Sequence, residues 1–365
     1  MKIYFLHCTL CLILFFSCDK HIGSEDMPSL RTIIVYMAAD NDMTDDAWLN
    51  IKEMENVFEE KGVNLLVFID PVNDSPQIRR IGQGGSVRVK NYPEFNSTDS
   101  GQMERVLNDI IDMYPASSYG LVLWSHGSSW LPAGTRLRSF GDDHGRQMNI
   151  VDLASAIPIR FDFIIFDACR MGAVEVVYEL RDKTNYIIAS SADIVYSGFP
   201  YTLIIPELMQ PHPDFSKVAE NYFDFYNRLS GDDRTATISV VDTKELERLA
   251  IITHRLIAGC DFHASTFDRT SVQRLDLYEE QYAFDFLDFM RNAFPDADIN
   301  LLKAQLEKAV LFKANTPKII NEYEIRTFCG LSCYIPHPQR EDLNAFYQQL
   351  AWCLDSGFYQ IFNLL

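Results

Sequence analysis

A cysteine and a histidine each follow a run of apolar residues in this 365-residue sequence. Residues 161–166 (FDFIIF) lead into Asp167 and Cys169, and residues 119–124 (YGLVLW) lead into His126. A thiol with a histidine base is the pair that attacks acyl carbons. Gly127 follows the histidine, and its lack of a side chain lets its N–H approach an oxyanion closely. With the N–H of Cys169 as second donor, these residues predict nucleophilic thiol chemistry.

Each of these residues also has a purely structural interpretation. Cys169 alone could be a small buried filler at a strand end, and His126 alone could be a loop residue. Together, however, each comes directly after its own apolar strand, and each has small residues as neighbours. The combination favours a His126–Cys169 dyad, provided that the two strands lie side by side or one apart.

The two apolar runs are typical of strands that are buried on both faces, as in a parallel sheet covered by helices. The carboxyl ends of such strands form the edge where α/β folds bind ligands. A helix is expected at 173–181, directly after Cys169. We therefore expect its dipole and the local backbone amides to lower the pKa of the thiol.

Strands and helices alternate through the rest of the first half, which predicts an α/β fold with one doubly wound, mostly parallel sheet. The predicted segments are listed in chain order: strand 32–37, helix 45–61, strand 63–69, edge hairpin around 86–90, helix 100–114, helix 148–157 and strand 185–191. The loop 192–201 should form a wall of the site.

Signals beyond residue 211 are weaker. We expect a helix at 214–229, a strand at 235–241, helices at 243–257, 283–294 and 299–312, a last strand at 327–335 and a closing helix at 341–354. The predicted organisation is a signal peptide (1–17), a tether (18–30), a main domain (31–260) and a C-terminal extension (261–365), which packs on that domain or forms a small subdomain.

Three segments, TIIVYMAADNDM (32–43), SHGSSW (125–130) and FDACRM (166–171), resemble the clostripain family of cysteine peptidases. The resemblance is clear from about Thr32 to Tyr201. It implies a caspase-like α/β/α sandwich in which His126 and Cys169 form the dyad and Gly127 contributes to the oxyanion hole.

The resemblance also implies substrate residues. Asp167 matches the residue that helps to bind a basic P1 side chain, although it could equally be a carboxylate that satisfies loop backbone. Family members that prefer Arg usually have a second acid in the wall loop, but residues 197–201 (SGFPY) contain none. Asp193 could substitute for it.

Two further family properties concern loops. Some relatives are activated by cleavage between the His and the Cys, where Arg136, Arg138 and Arg146 are candidates within 131–149. Part of the family requires Ca²⁺, which makes it a possible cofactor, and four loop acids are of the right type: Asp40, Asp42, Asp142 and Asp143. They form no single twelve-residue ligand pattern, so we assign no metal site.

Charge and cysteine content exclude several classes of protein. The formal net charge of −19 with no basic run argues against a nucleic-acid partner; it would suit a basic substrate, or simply maintain solubility. A zinc site is excluded because the spacing of the remaining cysteines does not fit one. We expect buried free thiols at Cys260, Cys329, Cys333 and Cys353, with one disulfide as the alternative.

The N-terminus predicts export. Lys2 precedes fourteen nearly uncharged residues, 3–16, and then Ser17-Cys18. Fourteen residues suit a signal-peptide core better than a membrane span. Cys18 then resembles the lipidated N-terminus of a bacterial lipoprotein in the cell envelope; ordinary secretion and an uncleaved anchor are the alternatives.

Three functions are compatible with these observations. The first is a monomeric, exported cysteine endopeptidase that acts on peptides or proteins, with membrane contact through its lipid. The second is a catalytically silent lipoprotein that uses the same fold to bind a partner. The third is a cysteine hydrolase of a different acyl group.

Overall fold

The computed structural model describes residues 29–133, 139–259, 262 and 267–362. The signal segment, Cys18, Arg136, Arg138 and Cys260 lie outside these residues, so the predictions made for them stay predictions. None of the helices in the described part of the chain is long and apolar enough to cross a membrane.

A nine-stranded sheet runs through the molecule in the order β12-β10-β9-β8-β5-β1-β2-β3-β4. Its five central strands, β9, β8, β5, β1 and β2, are parallel, and antiparallel strands close both edges. The strands of this sheet are β1 (Arg31–Ala39), β2 (Val63–Pro71), β3 (Gln77–Gly82), β4 (Gly85–Asn91), β5 (Tyr119–Trp124), β8 (Phe161–Asp167), β9 (Thr184–Ala189), β10 (Thr237–Asp242) and β12 (Val310–Asn315).

The described residues also contain three short antiparallel pairs. They are β6 (Phe140–Asp143) with β7 (Arg146–Met148), β11 (Phe284–Asp285) with β15 (Ser332–Cys333), and β13 (Lys318–Ile319) with β14 (Tyr323–Glu324).

Helices cover both faces of the sheet. The described helices are α1 (Thr44–Val57), α2 (Ser100–Met113), α3 (Ile150–Ala156), α4 (Val174–Glu179), α5 (Tyr201–Leu208), α6 (Phe215–Asn227), α7 (Leu246–Ile257), α8 (Phe286–Ala293), α9 (Asn300–Ala309), α10 (Glu341–Tyr347), α11 (Ala351–Asp355) and α12 (Tyr359–Phe362).

The central strands divide their side chains between two cores, as alternation along a strand requires. In β1, Ile34 and Tyr36 pack on the face that also carries α2, α3, α4 and α7, whereas Ile33 and Val35 pack on the face of α1, α5 and α6. The chain is thus an α/β/α sandwich with a mostly parallel sheet, as predicted. Phe286 and Trp352 share the first core with Phe166, so residues beyond 260 pack on the same sheet.

The second half differs from its prediction in three places. The helix expected at 299–312 ends at Ala309, because residues 310–315 pair with β10 as the edge strand β12. Of the strand expected at 327–335, only Ser332–Cys333 is β-structure; Gly330, at φ 99°, redirects the chain just before it. The closing helix is interrupted between α10 and α11.

Candidate active site

The loops that carry the histidine and the cysteine lie next to each other. Strands β5 and β8 are parallel neighbours with Trp124 opposite Asp167, and the N–H of Ser125 donates to the carbonyl of Asp167 at 3.3 Å. His126 and Cys169 consequently line the same pocket, whose volume is about 400 Å³. The connection between them is a βαβ unit through α3, which is the arrangement that the dyad prediction requires.

The imidazole of His126 is held by a carboxylate. Its Nε2 lies 2.7 Å from Oδ1 of Asp42, in the loop after β1, and the side chain of His126 is 16% exposed. The His126 carbonyl accepts the N–H of Gly141 at 2.9 Å, which fixes the loop backbone. Sequence reasoning considered Asp42 only as a calcium ligand. Its position after the strand beside β5 was the signal that could have connected it to the histidine.

The thiol of Cys169 is partly covered by the wall loop. The N–H of Ile194 approaches Sγ to 3.4 Å, and Sγ lies 3.8 Å from the Ile194 carbonyl oxygen. Burial raises the pKa of Cys169 to about 12, with the charge of Asp193 adding to the effect. The expected lowering of this pKa is therefore wrong. Helix α4 begins only at Val174 and has six residues, so its dipole is too distant and too short to offset desolvation.

Gly127 allows the histidine loop and the cysteine loop to approach each other. A Cβ at this position would lie 2.7 Å from the carbonyl oxygen and 3.2 Å from the nitrogen of Cys169. The bridge between Gly127 and Phe140 uses the N–H groups of Ser128 and Gly141. Within the described residues, the N–H groups of Gly127 and Cys169 themselves donate no hydrogen bond, which leaves two donors beside the thiol.

Asp167 is a buried carboxylate in the pocket lining. Its Oδ2 accepts the Phe199 N–H at 3.1 Å and the Tyr201 hydroxyl at 2.8 Å, whereas Oδ1 has no partner among the described residues. Burial raises the pKa of Asp167 to about 6. Gly198, at φ 68°, keeps the approach open, since a Cβ there would lie 2.7 Å from Oδ2. Hydrogen bonds to the neighbouring loop thus account for Oδ2 of Asp167 but not for Oδ1.

Asp193 also lines the pocket, but its charge is compensated. Its Oδ1 lies 2.8 Å from Nε of Arg170, and the Arg170 guanidinium stacks on the Tyr278 ring at 4.1 Å. Asp193 is therefore an ion-pair partner of Arg170, and its predicted role as the second substrate acid stays a prediction. The acid whose charge affects Asp167 is Glu53 of α1. Glu53 accepts the N–H of Tyr201 at 3.2 Å, and its charge adds to the raised pKa of Asp167.

The far wall comes from the second half of the chain, which sequence reasoning did not connect to the site. Tyr278 and Ile320 both line the pocket. Ile320 lies in the turn between β13 and β14 with φ 44°. Neither residue belongs to a motif or to an apolar periodicity, so no sequence signal pointed to them.

Comparison with known proteins agrees with this geometry. A model of the Clostripain family (Peptidase_C11) matches residues 35–333. No curated protein matches the chain. An inactive zymogen C11 protease from Parabacteroides distasonis is 30% identical, with a TM-score of 0.79 over 89% of this chain and 97% of that one.

A secreted C11 cysteine protease from Bacteroides thetaiotaomicron, called iotapain, is 27% identical, with a TM-score of 0.81 over 90% of this chain and 99% of that one. A secreted C11 cysteine protease from the same species, in complex with an irreversible peptide inhibitor, is 29% identical, with a TM-score of 0.80 over 91% and 99%. The chain therefore belongs to the clostripain family and is a cysteine-type peptidase.

Proposed function

We propose that the chain is an exported endopeptidase that cleaves peptide bonds with a His126–Cys169 dyad, after basic P1 residues. The observation that carries the proposal is the shared pocket, which both dyad residues and Asp167 line. The alternatives of a silent binding protein and of a hydrolase for other acyl groups do not call for a buried pocket carboxylate of which one oxygen has no partner within the described residues.

The first half-reaction forms an acyl-enzyme. Because the thiol of Cys169 is protonated at neutral pH, His126 removes its proton as Sγ attacks the scissile carbonyl carbon. With its Nε2–H donated to Asp42, the ring keeps the Nδ1 lone pair for that proton. The N–H groups of Gly127 and Cys169 stabilise the oxyanion. His126 then returns the proton to the leaving amine, and the C–N bond breaks.

The second half-reaction releases the product. His126 takes a proton from a water molecule as that water attacks the thioester carbonyl carbon. The tetrahedral intermediate collapses, the C–S bond breaks, and the proton passes to Sγ. The N-terminal product leaves as a carboxylic acid, and the free thiol is restored.

Asp167 is the proposed recognition group for the P1 side chain. A guanidinium or ammonium in the pocket would pair with Oδ1, the oxygen that has no partner within the described residues. The hydrogen bond in such a pair is charge-assisted and therefore stronger than a neutral one, and the cation compensates the buried charge of Asp167. The compensated charge of Asp193 makes Asp167 the main determinant of this preference.

Export and processing are further parts of the proposal. The secreted relative from Bacteroides thetaiotaomicron supports export; lipidation at Cys18 stays a prediction. Self-cleavage in the loop 131–149 also stays a prediction, and of its candidate residues only the exposed Arg146 is described.

Two alanine variants test the dyad. Cys169→Ala should lower kcat/KM on Arg or Lys peptide amides by about 10⁴-fold or more and abolish labelling by thiol-reactive peptides. His126→Ala should lower it by about 10²–10⁴-fold. Matched controls are Cys353→Ala, a buried thiol elsewhere, and His212→Ala, an exposed histidine, both of which should keep their activity. Full hydrolysis by Cys169→Ala would refute the mechanism.

A further inference from the structure

A nearly buried arginine comes directly after the nucleophile. Arg170 is 8% exposed, and its backbone φ of 61° is unfavourable for a residue that has a side chain. Such a conformation persists only where the surrounding contacts fix it. The proposed mechanism gives this arginine no part, so its contacts are the guide to what it does.

The contacts of Arg170 join three segments of the chain. Its N–H donates to the carbonyl of Ala192 at 2.9 Å, where the wall loop begins. Its Nε lies 2.8 Å from Oδ1 of Asp193 in that loop, and its guanidinium carbon lies 4.1 Å from the centre of the Tyr278 ring. Tyr278 is itself fixed, because its N–H donates to the buried Asp276 at 3.0 Å. The arginine therefore links the cysteine loop to the wall loop and to the second half of the chain.

The aspartate of this ion pair also acts on the thiol. Cys169, Arg170 and Asp193 line the same pocket, and the side chain of Asp193 is only 19% exposed. After burial, the charge of Asp193 is the next cause that raises the pKa of Cys169, whereas the charge of Arg170 lowers it. The two partners of one ion pair thus act on the sulfur in opposite directions.

The wall loop brings a second group to the sulfur. Ile194 follows Asp193, and its N–H approaches Sγ of Cys169 to 3.4 Å. This N–H favours the ionised sulfur, because a hydrogen bond to a charged acceptor is stronger than one to a neutral acceptor. Because Asp193 is the neighbouring residue, its ion pair with Arg170 also holds this N–H in place.

We propose that Arg170 is a positioning residue for the nucleophile and acts through Asp193. It neutralises the carboxylate that acts on Cys169, and it holds the wall loop so that the Ile194 N–H faces Sγ. Without the guanidinium, a largely buried negative charge would oppose the transfer of the thiol proton to His126. With it, the sulfur can carry negative charge as it attacks. The inference rests on the proposed function only in taking Cys169 as the nucleophile.

Other titratable groups surround the ion pair and the thiol. Those that share the pocket or interact with Cys169 or Arg170 are His126, Asp42, Asp167, Tyr222, Asp276 and Tyr278. Substitution of Arg170 or Asp193 leaves all of them in place. A change in the ionisation of the thiol in such variants therefore reports on the ion pair.

Alkylation of Cys169 by iodoacetamide tests the proposal without a peptide substrate. Because the pKa of Cys169 is about 12, the thiolate is a small fraction at pH 8, and a rise of one unit in the pKa lowers that fraction about tenfold. The remaining thiolate becomes about threefold more nucleophilic, so the net rate falls about threefold per unit. Rates are measured on the full chain by mass spectrometry of the peptide that contains Cys169.

The two partners of the ion pair should change this rate in opposite directions. Arg170→Gln should slow alkylation at least about threefold, and Asp193→Asn should accelerate it at least about threefold. The double variant should return to within about twofold of the parent rate, because both charges are gone. Arg31→Gln changes another nearly buried arginine, paired with Asp162 at the start of β1, and should keep the parent rate.

A purely structural link would be broken equally from either side. A change in the same direction in both single variants, or the parent rate in both, would therefore overturn the proposal. Circular dichroism and Tm show which variants are folded; if Arg170→Gln does not fold, an unchanged rate in Asp193→Asn would still overturn it. The expected pattern in a parent that hydrolyses no peptide would refute the proposed function and support the role of Arg170.

Discussion

The end of strand β8 before Cys169 and helix α4 after it each bury one carboxylate. Asp167 accepts a backbone N–H from Phe199 and a hydroxyl from Tyr201, both on Oδ2. Glu175 accepts a backbone N–H from Tyr334 and a hydroxyl from Tyr347, both on Oε1. In each acid the other oxygen has no partner within the described residues. The local chemistry is thus almost the same at the two positions.

The surroundings of the two acids differ. Both acids are buried, Asp167 at 3% and Glu175 at 0% exposure. Asp167, however, lines the same pocket as the thiol, whereas the tyrosine partners of Glu175 belong to the core that α10–α12 complete. Burial raises the pKa of Asp167 to about 6 and that of Glu175 to about 7. A buried, half-satisfied carboxylate therefore does not by itself indicate a binding site. It does so only where a cavity lets a ligand reach the free oxygen.

Exchanging each acid for its amide gives the largest expected contrast. Asp167→Asn should lower kcat/KM on Arg or Lys P1 peptides by about 10²–10³-fold, because a buried charge pair loses about 2–5 kcal/mol when one charge is removed. Glu175→Gln should change the same ratio less than threefold. Steady-state kinetics on matched Arg, Lys and neutral P1 peptides provides the measurement. An equal loss of the preference for Arg or Lys at P1 in both variants would contradict the proposal that only Asp167 binds the substrate.

Much of this site could be predicted from sequence because strand ends are local features. The apolar runs before His126 and Cys169 identify two buried strands, and parallel pairing places their ends at one edge of the sheet. The position of Asp167 at the end of β8 follows from the same pattern, whereas its proposed role came from the family resemblance. These inferences require only periodicity and the right-handed βαβ connection.

The remaining parts of the site depend on tertiary contacts that no local pattern encodes. The pairing of Asp193 with Arg170 requires the wall loop to fold back onto the cysteine loop. Tyr278 and Ile320 reach the pocket from segments with weak periodicity. The raised pKa of Cys169 depends on how much of the thiol Ile194 covers, which a count of residues to the next helix cannot give. The partners of Glu175 lie about 160 or more positions further along the chain.

Glu175 should affect the stability of the protein, whereas Asp167 should affect its substrate specificity. The pKa of Glu175 is raised from its ordinary value to about 7, so the folded chain binds more protons than the unfolded chain between about pH 4.5 and 7. Its contribution to the free energy of unfolding is present below about pH 4.5 and is lost as the pH rises toward 7.

Glu175→Gln removes this loss. From pH 5 to pH 8, the stability of the variant relative to wild type should increase by about 2–3 kcal/mol. Urea denaturation at the two pH values measures the difference, and Glu104→Gln, which changes an exposed glutamate of α2, is the control. A pH-independent difference would mean that Glu175 stays charged in the folded protein.

The smallest expected effect is the difference between removing the tyrosine hydroxyl that donates to Asp167 and removing the one that donates to Glu175. Since the pKa of Asp167 is about 6, the preference for Arg over its neutral isostere citrulline at P1 should fall about tenfold from pH 8 to pH 5. Taking the ratio cancels every pH effect that the two substrates share. Tyr201→Phe deletes a donor that favours the charged carboxylate, so the midpoint of this profile should move up by about one pH unit or less. Tyr347→Phe makes the same deletion at Glu175 and should leave the midpoint unchanged. Equal movement in both variants would show that general loosening of the fold, and not the bond to Asp167, sets the ionisation of the pocket.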